Sequence, residues 1–381
     1  MKPSRLLHGF RWVDAPLWCL PPTVLLLFLL GVSGIARGDE LAGDGTLAGR
    51  QLLWGIISLP VAAAAIAFPY REWRRLAVPL FVIILALLVA VYFFPPRNGS
   101  RRWIPLGPID MQPSEIAKLA TIFLLSRHFL FQRNQRTLIG LGGPLLVTAI
   151  PVVLILREPD LGTSLLFFPV LFAILVAAGA RLSHLALAIG LGLCLLPALW
   201  SVMSVEQKSR VTAVFQQADE GANRSGDGYH LNQSKQMLAL GGAWGSQFSG
   251  ESVADPAAYR LPAARTDFVL CLIGERWGVC GSLAVLILYA ALILQGILIA
   301  FRTHEPFGRL VATGIVAMLG TQCLINTAMT VGLAPITGLT LPLLSYGGSS
   351  LVMTMASLGI LWNIGWRRGL RVEGEPFRFD G

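Results

Sequence analysis

Four short stretches hold most of the residues in this chain whose types and spacing could do chemistry. The first is PPRNGSRRWIPLGPIDMQPSE, residues 95–115, which places Arg101, Arg102 and Trp103 ahead of Glu115 and Lys118. Pro113 suits the first position of a helix, having no N–H to leave unpaired. Glu115 then falls in the first turn, where a carboxylate complements the helix dipole. Lys118 lies near the same helix start, where a cation is disfavoured, and inside an apolar run. Three residues apart, Glu115 and Lys118 share a helix face. The spacing predicts an inward-facing Glu–Lys pair beside a cavity. Arg101, Arg102 and Trp103 fit interfacial anchors and an aromatic belt as well as they fit a site.

The second stretch is REPDLGTSL, 157–165. Pro159 is expected in a first helical turn, with Asp160 after it and Glu158 as a capping acid at the membrane surface. Gly162, Thr163 and Ser164 permit close approach of a ligand or another strand of chain to Asp160. The third stretch is RTDFVLCLIGERWG, 265–278. Asp267 is its last polar residue before an apolar run, so it either caps the next helix or serves a site. Glu275 and Arg276 are expected to pair. The fourth, PITGLTLPLLSYGGSSL (335–351), interrupts an apolar region with prolines, glycines and hydroxyls. Irregular backbone at membrane depth is tolerated where it is buried in protein or lines a cavity, so this segment is expected to border a polar site.

These stretches must be carried by membrane helices. The chain has 381 residues, 54% hydrophobic and 13% charged, with a mean hydropathy of +0.65. A soluble domain carries about a quarter charged residues. Net charge is +9, but the basic residues sit in short loops between apolar runs, which excludes a nucleic-acid-binding face. The five cysteines have no metal-ligand spacing and read as small buried apolar residues. Ten segments approach the ~20 apolar residues that span a bilayer: 16–36, 50–68, 77–94, 116–131, 138–156, 161–179, 184–203, 269–300, 310–331 and 349–366. The fourth is short for a full crossing. The first is expected to be an anchor rather than a cleaved signal.

Short basic loops set the orientation. With the N-terminus in the cytoplasm, Arg71, Arg74, Arg75, Arg133, Arg136, Arg181, Arg302, Arg309 and Arg367 fall inside. Both termini are then cytoplasmic, and the long polar stretch 204–268 is extracytoplasmic. The fold class is all-α integral membrane, one polytopic domain over 1–381.

RRW, QPSE with lysine at the third position beyond it, EPDLGTSL, ARTDF and PITGL-LP-LSYGGSSL follow one another between ten apolar segments. In that order they resemble the shape, elongation, division and sporulation (SEDS) family of cell-wall proteins, from about residue 10 to 370. NTAMTVGLAPITGL (326–339) resembles its RodA branch more than FtsW, whereas EPDLGT is commoner on the FtsW side. The resemblance implies a fold like that of the C-type glycosyltransferases and polymerisation of lipid II into glycan strands at the outer face of the cytoplasmic membrane. It implies that Asp267 is the catalytic carboxylate. It also implies substrate-binding roles at positions matching Trp103, Glu115, Lys118, Asp160, Arg210 and Gln233, with Arg101 and Arg102 beside them. Implied with it are a class B penicillin-binding protein as transpeptidase partner, other elongation proteins, a divalent cation (Mg or Mn) at the diphosphate and no organic cofactor. Three departures stand out: Arg265 where histidine is usual, the segment GGAWGSQFSGES (241–252), and the missing Asp-Pro after Phe215. A flippase for lipid-linked sugars, an FtsW-type division polymerase and a non-catalytic scaffold remain as alternatives. An inverted repeat would favour the flippase.

Overall fold

The computed structural model describes residues 15–43, 45–96, 100–105, 107, 110–131, 136–194, 196–215, 227–249, 261 and 263–367. Each apolar segment coincides with a helix: α1 (Ala15–Ala42), α2 (Leu47–Ala67), α3 (Trp73–Ala90), α4 (Pro113–Phe131), α5 (Leu138–Arg157), α6 (Leu161–Ala177), α7 (Leu182–Cys194) with α8 (Leu196–Val202), α12 (Val269–Arg302), α13 (Pro306–Thr330) and α14 (Gly348–Arg367). Between α8 and α12 the polar stretch forms α9 (Val205–Phe215), α10 (Asp227–Leu240) and α11 (Ser246–Ser249). A short antiparallel pair, β1 (Ile104–Pro105) and β2 (Asp110–Met111), leads into α4. Among the described residues, six helical spans are long and apolar enough to cross a membrane: those built on α1, α2, α3, α5, α12 and α13.

The short fourth segment has a structural reason. Helix α4 is buried along most of its length, Glu115, Lys118, Thr121 and Ser126 included. It packs on α3, α6 and α13, so it meets protein where a peripheral helix would meet lipid. Outer helices show the reverse pattern: Leu26, Ile56, Val82, Leu146 and Ile287 are exposed on outward faces. An apolar exterior around a core holding charged groups is the arrangement a bilayer demands. Three of the five cysteines, Cys19, Cys194 and Cys280, lie on such outward faces, contrary to the expectation that all are buried. A thiol is apolar enough to face lipid as readily as core.

Helix α12 is broken at Gly278, whose φ of 68° and ψ of −161° are not helical. The segment after α10 fills the break. Gly242 O accepts from Val279 N at 3.0 Å, replacing a bond the break removes. The backbones approach so closely that a β-carbon on Gly241 would strike the Gly274 carbonyl oxygen. Gly241→Val is therefore expected to destabilise the protein by roughly 1–3 kcal/mol or more, the usual cost of overpacking, read as a lowered Tm in detergent. An unchanged Tm would show that the loop yields freely.

Candidate active site

The site lies at one end of the bundle, where α1, α3, α5 and α13 finish and α4, α6, α12 and α14 begin. Asp267 precedes α12 without capping it. The capping position is Phe268, and no side chain fills it. Asp267 is thus free of the structural duty its position suggested. Beside it the Thr266 hydroxyl donates to Ala263 O at 3.1 Å, and the Asp267 backbone N–H donates to the same oxygen at 2.9 Å. Across from it, a β-carbon on Gly338 would lie 3.9 Å from Asp267 Oδ2. Burial pushes the Asp267 carboxyl up to about 6, with Asp160 raising it further and Thr266, Arg210 and Arg102 opposing. Residues from four separate stretches of sequence, 102, 160, 210 and 267, therefore share one electrostatic neighbourhood.

Asn326 on α13 holds this arrangement together. Its Nδ2 donates to Asp267 O at 2.8 Å and to Leu339 O at 2.7 Å. One buried amide thus ties the catalytic candidate to the irregular 335–347 segment. That segment is well packed, as its polar backbone requires: Ser345 O accepts from Gln51 at 3.0 Å, and Leu341 N donates to Ser345 Oγ at 2.8 Å. It also abuts the start of α6, where a β-carbon on Gly162 would strike Thr337 O. The expectation that 335–351 borders a polar site holds. Asn326 was missed, although an asparagine inside an apolar run is itself the signal.

Asp160, not Pro159, begins α6: its Oδ1 accepts from Thr163 N at 3.1 Å and its Oδ2 from Thr163 Oγ1 at 2.9 Å. Pro159 stays in the connection, outside the first turn. Arg102 braces the same connection, donating to Glu158 O at 2.9 Å and to Pro159 O, with Nη1 3.9 Å from Asp160 Oδ2. Glu158 is 1% exposed, which corrects its reading as a surface cap. Arg101 is exposed and donates to Tyr92 O at 2.8 Å. Trp103 is half-buried ahead of β1.

Glu115 and Lys118 pair as their spacing predicts, at 2.8 Å, with 7% and 5% of each residue exposed. Among the described residues, Glu115 is the ammonium's one partner. Gln233 is buried on α10 beside Ser234, which donates to Thr330 O at 3.0 Å and so fastens α10 to the end of α13.

Glu275 and Arg276 do not pair with each other. Arg37 on α1 grips Glu275 with two bonds of 2.8 and 2.7 Å, while Arg276 lies 3.6 Å from Glu40 and donates to Ser33 O. Adjacent helical residues point in different directions, so each finds a partner on α1 instead. Arg265, the residue that departs from the family pattern, pairs with Asp39 at 2.9 Å. Among the described residues, no three His, Cys, Asp or Glu side chains gather as a metal site.

The sequence matches the family model described as "Cell cycle protein", for FtsW, RodA and SpoVE, over residues 16–368. It is 35% identical to a probable peptidoglycan glycosyltransferase FtsW of Marinobacter nauticus, covering 91% of this chain and 88% of that one. It is 32% identical to the peptidoglycan glycosyltransferase MrdB of Escherichia coli, covering 91% and 93%. Identity alone does not sort the chain into one branch. Among solved structures it superposes on a chain of a peptidoglycan synthase complex that coordinates polymerisation and crosslinking, with a TM-score of 0.80 and 29% identity over 93% of this chain and 98% of that one. The rod-shape-determining protein RodA of Thermus thermophilus gives a TM-score of 0.68 and 27% identity over the same shares. The motifs, the helix order and these matches agree: the chain belongs to the FtsW/RodA/SpoVE family of multi-pass membrane proteins.

Proposed function

We propose that this chain is a peptidoglycan glycosyltransferase that polymerises lipid II into glycan strands at the outer face of the cytoplasmic membrane, serving elongation and cell shape. The observation that carries this reading is Asp267, a carboxylate released from capping and set among Arg102, Arg210 and Asp160. In the proposed step, the 4-hydroxyl of a GlcNAc attacks the anomeric carbon of a MurNAc linked to lipid diphosphate. Asp267 takes the hydroxyl proton as the new C–O bond forms. The bond from the anomeric carbon to the diphosphate breaks, and the lipid diphosphate leaves with that electron pair. A carboxylate raised to about 6 is still ionised at neutral pH and is a stronger base than an ordinary aspartate.

The leaving diphosphate needs cations already in place. Arg102 and Arg210 supply them beside Asp267, and Lys118 brings an ammonium with donors to spare, since Glu115 takes only one. The described residues do not form a metal cage, and Asp160 already accepts from Thr163 through both oxygens. A divalent cation in this proposal arrives with the substrate's phosphate oxygens, the manner in which Mg²⁺ is commonly held.

Polymerisation of purified lipid II in detergent tests the reading. Long glycan strands support it. Transbilayer movement of lipid-linked sugar without polymer would favour the flippase, and neither activity would favour the scaffold. The whole chain acts as one polytopic unit in this proposal. A class B penicillin-binding protein supplies the cross-linking transpeptidase, because this chain has no visible serine acyl-transfer motif.

We further propose that the end bearing α9–α11 is extracytoplasmic and that both termini are cytoplasmic, on the strength of the basic connections Arg71–Arg75 and Arg302–Arg309 at the opposite end. In a cysteine-free background, a reporter at exposed Trp244 should be labelled from outside, and one at exposed Arg74 should not. The opposite pattern would overturn the orientation. Ser225, on the same loop, lies outside the described residues.

A further inference from the structure

Glu158 is a buried ionisable group at the site to which the proposed mechanism gives no role. It is 1% exposed, and among the described residues neither carboxylate oxygen has a hydrogen-bond partner. Such a side chain is expensive as an anion. A buried unpaired charge costs far more than a neutral polar group, so the group keeps a proton instead. The groups around it reinforce this. Asp160, two residues on, adds a second negative charge. Tyr92 packs nearby and spends its hydroxyl on Leu154 O. Arg157, next in sequence, lies near enough to Tyr92 to act on it electrostatically. Arg102 is the cation that acts directly on Glu158, and its guanidinium is turned to the backbone carbonyls of Glu158 and Pro159 rather than to the carboxyl.

We propose that Glu158 is a positioning residue: held as a neutral acid, it leaves Arg102 clamped to the α5–α6 connection, with its charge directed to Asp160, Asp267 and the substrate diphosphate. Ionised, Glu158 competes for that guanidinium. Arg102 then turns inward to the buried carboxylate, and the diphosphate loses a cation. The electrostatics agree in sign, since burial first and Asp160 second push the Glu158 carboxyl up to about 8. The substrate part of this inference rests on the polymerase reading above; the neutral, buried state of Glu158 does not.

Glu158→Gln tests both parts, because glutamine keeps the shape and cannot ionise. For stability the sign follows from the unfolded chain, where the carboxyl is ionised above about 4.5. Between there and about 8, the native state binds the extra proton, so wild-type stability falls as pH rises. The variant should therefore gain in Tm over wild type, and the gain should be larger at pH 8 than at pH 5. A Tm lowered at both pH values would show that a charged Glu158 is stabilising and would overturn the inference. This readout needs no enzymatic activity, so it stands even if lipid II is not the substrate.

The second readout is lipid II polymerisation, with binding of undecaprenyl diphosphate as its activity-free counterpart. Wild type should lose both above pH 8, by about tenfold for each further pH unit. The variant should match wild type at pH 7 and stay flat to pH 9. A limb that persists in the variant would assign it to another group and overturn the positioning role. Loss of activity in the variant at pH 7 would do the same, by showing that an ionised Glu158 is required.

Discussion

Asp267→Asn is expected to lower glycan polymerisation by about 10²–10⁴-fold, the usual worth of a general base. The fold should survive. Asn326 grips the backbone carbonyl of residue 267, not its carboxylate, so the clamp to Leu339 is kept. No helix cap is lost, because Asp267 caps nothing. Binding to a transpeptidase partner should be unaffected as well. The pH profile gives an independent check. A base must be ionised to act, so wild-type activity should rise with pH through about 6 and level off. Any residual activity of the variant should lack that acidic limb. Polymer of near-normal yield and length from the purified variant would reject the base assignment. An acidic limb unchanged in the variant would assign that ionisation to another group.

Lys118→Met is expected to have the next largest effect, and it acts in two ways. The buried pair with Glu115 is broken, leaving a carboxylate with no partner. Removing one member of such a pair costs roughly 3–5 kcal/mol. The ammonium that the proposed mechanism offers to the diphosphate also disappears, for a further expected loss of order 10²-fold in kcat/KM. The double variant Glu115→Gln with Lys118→Met separates these effects. Stability should return, because no charge is then buried unpaired. Polymerisation should not. Lys118→Arg keeps the charge but changes its shape and reach, and should be partly active at best. Restored polymerisation in the double variant would reduce the pair to a structural role.

The helices were legible because each apolar run had to become one. With no water to bond the backbone, helix is the economical solution for an isolated span. The Glu115–Lys118 pair was legible for a similar reason, since its geometry is set by three residues of helix. What sequence did not disclose depends on contacts between distant segments. Arg37 lies 238 residues from Glu275, and nothing local marks the two as partners. Glu158 looked like a surface acid because nothing local marks its burial, and Arg102, which bonds its backbone carbonyl, lies 56 residues away in sequence. Asp267 could not be told from a helix cap until the chain before α12 was seen to put Phe268 at that position. The polar helices α9–α11 were expected only as a long loop, because too few apolar residues repeat in them to fix a face.

The filled break in α12 also changes what the unusual segment 241–252 signifies. Of its described residues, Gly241 and Gly245 are buried against the backbone of the helix they enter, while Ala243, Trp244, Gln247 and Phe248 are exposed. The two kinds of position answer to different constraints. The glycines act like the teeth of a key and can change only together with the helix they fit. The exposed positions between them are blank metal, open to recutting without moving the lock. A divergent spelling of this loop can therefore alter what the surface presents to its surroundings, while the fit that sets the first turns of α12, and with them Asp267, is passed on intact.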